Sequence, residues 1–488
     1  MKTIYPATLL CDFYKVSHRE QYPIGTEKVY STWTPRSNKY HPTTDKVVVF
    51  GIQAFVKKYL INYFNTHFFS RSKEEVLNEY TRVLKFALGI KEPHTQHIED
   101  LHDLGYLPLL IKSLPEGTKV SIRVPMLTIE NTNPRFFWLT NFVETILSTE
   151  LWMASTSATT ASEYRTILDS YAEETGDPEF VQFQAHDFSM RGMSCLESAA
   201  SSGAGHLLSF VGTDTIPAIF HLEEYYNADI EKELVGCSVN ATEHSVMCAG
   251  GDGENEFNTY KRLLTEVYPS GIVSIVSDTW NLWSCVENII KPLKSEIMAR
   301  DGKAVIRPDS GDPVKIICGD KFSSNPMIQK GLIECLWDIF GGVVNEKGYK
   351  VLDPHIGAIY GDSITLDRCT RICHGLKEKG FSSTNIVFGV GSYTYQYNTK
   401  DSFGFALKST MCQINGEEKQ IYKNPATDDG TKKSNTGCVA VIKEDGEFKC
   451  IDGLSFDHEI KCEMLSVFEN GVLLVDDSLA DIRKRIRE

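Results

Sequence analysis

The sequence predicts an α/β protein: a (β/α) barrel-like central domain with a discontinuous α+β domain built from the N- and C-terminal segments. Three observations carry this. First, six short apolar runs in the middle of the chain each end in Asp, Gly, Arg or His: Val181–Ala185 before His186-Asp187-Phe188, Phe210–Val211 before Gly212-Thr213-Asp214, Ile272–Val276 before Ser277-Asp278, Ala304–Ile306 before Arg307-Pro308-Asp309, Ile356–Tyr360 before Gly361-Asp362, and Asn385–Phe388 before Gly389-Val390-Gly391-Ser392. Second, helical patterns separate them, at Cys195–Leu208, Phe257–Tyr268, Trp280–Ala299, Met327–Phe340 and Ile364–Lys377. Third, both flanks lose this alternation and become β-rich.

Each element follows from its pattern. A short continuous apolar run reads as a strand buried on both faces, and strand–helix alternation implies parallel strands with right-handed crossovers. A weaker strand near Val235–Val239 brings the candidates to seven, close to the eight of a closed barrel; an open doubly wound sheet also satisfies the pattern. At the N-terminal end, Val47–Phe50 reads as a strand, Ala54–Phe64 as a helix, Val120–Ile129 as strands broken by Pro125, and Phe136–Trp152 as a helix opened by Asn133-Pro134. After about 400, turns at Asp428-Asp429-Gly430 and Glu444-Asp445-Gly446 punctuate strands, and Asp476–Arg487 closes the chain as a helix. The expected domains are 1–150 with 400–488, and 151–399.

Composition narrows the class. The 488 residues are 42% hydrophobic and 24% charged, enough for a large core. A net charge of −15 argues against a general nucleic-acid or anionic-membrane surface, so cations for an anionic ligand must be local and placed. The thirteen cysteines have no close pairing or regular spacing and read as buried thiols of a reducing compartment. Asp12 interrupts the short apolar N-terminal stretch, no small-residue cleavage site follows, and no run reaches transmembrane length, so the expected location is cytoplasmic.

Chemistry concentrates at the strand ends. In Asn240-Ala241-Thr242-Glu243-His244-Ser245, Thr242 is placed to cap a helix over Ser245–Ala249. His244 falls in its first turn, suited to hold or covalently carry a phosphoryl group, with Glu243 beside it to tune the ring. Arg307 offers a planar fork for an amide, carboxylate or phosphate, and Asp309 can accept ribose hydroxyls or hold Mg2+ through water. Gly361, Asp362, Gly391 and Ser392 fit sugar and phosphate, whereas a dinucleotide-binding reading fails because Gly389-Val390-Gly391 lacks the third glycine. Phe188 can stack on a flat ring, Arg191 can meet a phosphate, and Tyr14 can supply a second aromatic face. His94, His97 and His102 cluster among Glu92, Glu99, Asp100 and Asp103, which reads as a solvated helix, since metal binding wants a carboxylate in register.

These motifs together resemble the nicotinamide phosphoribosyltransferases, the NadV-like branch of the type II phosphoribosyltransferases. The likeness runs from Leu9–Pro23 to about Gly437 through His186-Asp187-Phe188, Arg191-Gly192, Gly212–Thr215, Glu243-His244-Ser245, Val276–Asp278, Ile306–Gly311, Gly361-Asp362 and Phe388–Gln396. The resemblance implies conversion of nicotinamide and phosphoribosyl pyrophosphate to nicotinamide mononucleotide and pyrophosphate with Mg2+, coupled to ATP through phosphorylation of His244. It also implies a homodimer with shared sites, in which Phe188 and the partner's Tyr14 sandwich the pyridine. Asp214 and Arg307 then address the carboxamide, Asp309 and Asp362 the ribose, and Gly391 with Ser392 the phosphate. Asp278 and Glu243 support the histidine, Mg2+ is held through phosphates and water with no direct protein ligand, and Arg191, Lys400, Lys408 and Lys432 serve as the cations. Three positions depart from the vertebrate-type pattern: Ser392 replaces a glycine, Lys400 an arginine (losing the fork), and Ala406 a serine (losing a hydroxyl).

Three rivals remain. A nicotinate-specific transferase is disfavoured by Asp214, whose carboxylate repels the acid of nicotinate. A metal-dependent barrel hydrolase would bind a transition metal through the aspartates and His244. A catalytically silent relative would lack the site residues found here.

Overall fold

The computed structural model describes residues 5–251, 255–361, 363–423 and 434–488. The chain divides into two compact units: 1–159 with 221–228 and 398–488, and 160–220 with 229–397.

In the second unit, seven parallel strands are β1 (Ala185–Asp187), β2 (Gly212–Thr213), β3 (Asn240–Ala241), β4 (Ser270–Val276), β5 (Asp301–Arg307), β6 (Ile356–Tyr360) and β7 (Ile386–Val390). They pair in the order β2-β1-β7-β6-β5-β4-β3. The two ends of this order meet through the extended stretch leading into β3. Cys237 N–H donates to Val211 O at 2.7 Å and Thr213 N–H donates to Cys237 O at 2.9 Å, a parallel bridge that joins β2 to the approach of β3. Among the described residues the seven strands are thus joined end to end through this one bridge, which favours the barrel over the open doubly wound sheet. All strand termini share one rim, because parallel strands in a ring can end only on one side.

The apolar runs became strands because they are buried on both faces: β6 is buried throughout, and Ile306, Phe388 and Val390 are inaccessible. One run failed. Val181–Ala185 lies mostly in a 3-10 helix, Pro178–Phe183, and the strand begins only at Ala185. Asp177 accepts the Glu179 N–H at 2.9 Å with Pro178 in first position, a start signal that outweighs the β-branched pattern downstream. The helix expected over Met327–Phe340 is likewise split into Pro326–Lys330 and Leu332–Phe340. Gly331 sits between them with φ +82°, where a Cβ would meet the Gly319 nitrogen at 2.4 Å.

The first unit holds a seven-stranded antiparallel sheet in the order Glu417–Gln420, Ala406–Ile414, Thr26–Thr34, Leu127–Asn131, Leu109–Ser113, Leu465–Glu469, Val472–Leu473. Early and late chain segments thus share one sheet, and Trp33 stacks on Phe405 at 5.4 Å in its core. Among the described residues no helix is long and apolar enough to cross a membrane.

One close approach in the second unit matters for the rim. A Cβ at Gly389 would meet Phe188 Cδ2 at 2.6 Å and Tyr360 O at 2.9 Å. Only glycine lets the Phe188 ring lie against β7. Replacement Gly389→Ala is expected to lower stability in urea denaturation by about 1–3 kcal/mol; an unchanged midpoint contradicts this packing.

Candidate active site at the barrel mouth

Strand periodicity builds the cavity. Side chains two apart on a strand face the same way, so Lys303, Val305 and Arg307 of β5, Ile272 and Ser274 of β4, and Gly357 and Ile359 of β6 all line the interior. They enclose about 380 Å³ together with Phe180, Phe183, Phe188 and Asp214. The wall is largely apolar, with charge confined to few points, which is how a site for a small flat ligand is built.

At the rim of this cavity, Asp214 follows β2 directly. His186 Nε2 lies 2.9 Å from Asp214 Oδ1, and Ser238 Oγ–H donates to the same oxygen at 2.6 Å. Burial pushes the Asp214 carboxyl up, but the hydrogen bonds from His186 and Ser238 and the nearby Arg307 charge outweigh it and hold the group below its ordinary value. Arg307 donates from one terminal nitrogen to the Thr242 carbonyl, while its buried Nε has no partner among the described residues. Phe188 stands beside His186, ring centroids 4.8 Å apart. A ring face, a carboxylate and a guanidinium thus border one cavity.

His244 is the first residue of the six-residue helix His244–Ala249. Thr242 does not cap it: its hydroxyl accepts the Val276 N–H at 2.9 Å, tying the loop to β4, and Glu243 takes the N-cap position. The histidine is held by neighbours other than those expected. Its Nδ1 lies 3.0 Å from Thr279 Oγ1 and its Nε2 lies 3.3 Å from Asp309 Oδ1. Asp278 instead accepts the Asp309 N–H at 2.9 Å, the Ser310 N–H at 2.8 Å and the Ser310 hydroxyl at 2.5 Å, which fixes the turn that carries Asp309. A carboxylate that gathers three donors of one turn is committed to that turn rather than to the ring. Glu243 accepts the Ser245 hydroxyl. Asp278 Oδ1 is buried without a partner among the described residues, and ligand atoms of His244, Asp278 and Asp309 lie within 4.8 Å of one another, a donor set that fits a hard divalent cation.

The remaining candidates fall into groups. Gly361 N–H donates to Pro308 O at 3.1 Å, and its α-carbon faces Asp309 so closely that a Cβ would stand 3.3 Å from Asp309 Cβ. Gly192, beside the exposed Arg191, abuts Ser392, whose Oγ would lie 2.0 Å from a Cβ at Gly192. Gly391 caps the turn Ser392–Tyr395. Tyr14, Lys400 and Lys408 belong to the first unit. Exposed Tyr14 and half-buried Lys408 line one polar cavity of about 440 Å³ there, Lys408 3.9 Å from Glu144. Lys400 pairs with Asp401 at 2.7 Å, and Ala406 lines a separate cavity with Arg36 and Lys408. Asp362 and Lys432 lie outside the described residues.

Sequence reasoning missed Ser238, Thr279 and Lys303. Lys303 was within reach, since it stands two and four residues before Val305 and Arg307 on the same strand face. Ser238 and Thr279 carry no signal beyond following a weak and a strong strand.

Because the folded Asp214 carboxyl binds its proton less readily than the unfolded one, its stabilisation is complete above the ordinary carboxylate value and is lost as pH falls through the folded value. Thermal melts from pH 7 to 3 are expected to show a shallower acid-side loss in Asp214→Asn than in wild type; parallel curves contradict the assignment.

The comparisons with known proteins bear on the family and the fold. Residues 183–471 match the nicotinate phosphoribosyltransferase (NAPRTase) family, and residues 7–110 match the nicotinamide phosphoribosyltransferase N-terminal domain. The chain is 51% identical over 489 residues to a nicotinamide phosphoribosyltransferase of Acinetobacter baylyi, covering 98% of this chain and 96% of that one. It is 37% identical to the protein of that name from Mycoplasma pneumoniae, covering 88% and 94%. Among solved structures, a nicotinate-nucleotide pyrophosphorylase from Pyrococcus furiosus superposes with TM-score 0.59 at 15% identity over 100% of this chain and 97% of that one. Human nicotinic acid phosphoribosyltransferase superposes with TM-score 0.56 at 14% identity over 98% and 93%, a likeness of fold. The chain belongs to the nicotinamide phosphoribosyltransferase family of enzymes.

Proposed function

We propose that this protein transfers the phosphoribosyl group of phosphoribosyl pyrophosphate to nicotinamide, giving nicotinamide mononucleotide and pyrophosphate in NAD biosynthesis, with ATP hydrolysis coupled through a phosphohistidine at His244. The observation that carries this reading is the single cavity bordered by Phe188, Asp214 and Arg307. Phe188 offers a face to the pyridine, Asp214 accepts from the carboxamide NH2, and Arg307 donates to its oxygen.

In the transfer, the pyridine nitrogen forms a bond to C1 of the ribose as the C1–oxygen bond to pyrophosphate breaks. The pyridine lone pair is free in the neutral ring, so no general base is required, and the His186–Asp214 pair beside Phe188 is left to recognition of the ring substituent. The work left to the protein is alignment and charge neutralisation. Asp309 and Asp362 accept the ribose hydroxyls, Gly361 leaves room for the sugar, and Gly391, Ser392 and Arg191 meet the 5′-phosphate. Lys400, Lys408 and Lys432 take the pyrophosphate and nucleotide phosphates. Bound Mg2+ would neutralise phosphate charge, and Asp309 with the unpartnered Asp278 oxygen would hold it, directly or through water.

In the tautomer whose Nδ1–H donates to Thr279 Oγ1, the His244 Nε2 lone pair is left to attack the γ-phosphorus of ATP, with ADP as the leaving group. Asp278 then acts as a positioning residue by fixing the Asp309 turn, and Glu243 by holding the helix start. A homodimer would bring Tyr14 of the partner subunit to the second face of the pyridine; its exposure, at 56%, leaves the ring available for that role. Thirteen cysteines without a disulfide among them support a cytoplasmic, reducing setting.

The test is product formation from nicotinamide, phosphoribosyl pyrophosphate and Mg2+, with and without ATP. Wild type is expected to be accelerated by ATP, and His244→Ala to keep a residual rate that ATP does not raise; equal stimulation of both overturns the phosphohistidine, and no product from wild type overturns the whole reading. Asp214→Asn is expected to relax the amide-over-acid preference by about 10–100-fold, since a like-charge clash costs several kcal/mol; unchanged selectivity contradicts the role of Asp214.

A further inference from the structure

The first unit contains a side-chain cluster that the reaction above does not use. His94 and His97 flank the start of the helix Gln96–Leu104. Their own stretch of sequence has no carboxylate in register for a metal. The fold supplies one from a distant position, Glu20, on the helical turn His18–Gln21. One ligand atom from each of Glu20, His94 and His97 lies within 4.8 Å of the others.

The geometry points to a binding site for one divalent transition-metal ion of the zinc class at Glu20, His94 and His97, with its fourth position open to solvent. His94 Nδ1 and His97 Nδ1 face each other at 3.3 Å. Two imidazole nitrogens about 2.0–2.1 Å from a tetrahedral zinc also stand about 3.3 Å apart, so the pair is already spaced for the ion. Without a cation, one of the two nitrogens must carry the hydrogen and donate it to the other. With a cation, both lone pairs point inward and the hydrogens move to Nε2.

The surroundings suit the role. His97 is buried and held edge-on by Trp138 at 5.0 Å and Tyr80 at 6.0 Å, which fixes its ring. Glu20 and His94 are exposed and can close on the ion. Arg19 donates to Glu20 Oε1 at 3.0 Å and opposes a second positive charge. That repulsion selects against hard cations held by charge alone and leaves those with strong affinity for imidazole.

The test uses the chelator-treated full chain carrying His244→Ala, so that the second group, His244 with Asp278 and Asp309, does not contribute. Zinc chloride alone is titrated by calorimetry, with magnesium chloride as control, in this background and in the same background with Glu20→Gln or His94→Ala. Both added substitutions are at exposed positions, and matching melting curves without metal verify that the fold is kept. The expected result is one equivalent of zinc, any magnesium uptake unchanged by Glu20→Gln or His94→Ala, a loss of about 10-fold or more in zinc affinity for each variant, and a zinc-dependent rise in Tm only with the three ligands intact. Absence of stoichiometric zinc binding, or an affinity unchanged in both variants, overturns the site.

Discussion

Everything the site does depends on strand direction. Seven parallel strands joined into a ring must all finish at one rim, and the residues that follow them are delivered there whatever their separation in sequence. Phe188, Asp214, His244, Asp278, Arg307 and Asp309 come from five different strand ends, yet each is fixed by contacts made at that rim. His186 links Phe188 to Asp214, the Thr242 carbonyl anchors Arg307, and Asp278 sets the turn that brings Asp309 against His244. No single one of these contacts is strong; the ring gives each its geometry at no further entropic cost.

The same architecture resolves the charge problem of an acidic chain that handles anions. Its net charge of −15 gives no attraction at long range, so phosphate groups must be met by backbone amides and a few placed cations. Within the second unit, Arg191 stands beside the Ser392 turn, and Arg307 is set deeper, half-buried behind Asp214. The lysines belong to the first unit, where Lys408 shares a polar cavity with Tyr14.

How much of this the sequence discloses depends on which force sets each feature. Strands buried on both faces leave an unambiguous apolar run, and β4 to β7 lie where that run places them. Local capping leaves a weaker trace. Asp177-Pro178 converted an apparent strand into a 3-10 turn, and Thr242, an apparent helix cap, accepts a strand amide of β4 while Glu243 takes the cap position. Partner choice among polar groups leaves almost none. Asp278 could serve the histidine or the turn with equal plausibility in one dimension, and only the three donors gathered around it in space decide the matter. Closure at seven strands was half legible: the weak apolar run Val235–Val239 marks the place, but there it forms only a two-bond bridge at Cys237 and the strand itself starts at Asn240.

The central claim is that a flat amide-bearing ring sits at the barrel mouth with its substituent between a carboxylate and a guanidinium. A crystal structure of the protein with bound nicotinamide mononucleotide measures this directly. The account predicts the pyridine face against Phe188, the carboxamide nitrogen within hydrogen-bond reach of Asp214, its oxygen within reach of Arg307, and the ribose hydroxyls at Asp309. A pyridine ring lodged away from Phe188, or a carboxamide turned toward solvent, would contradict it.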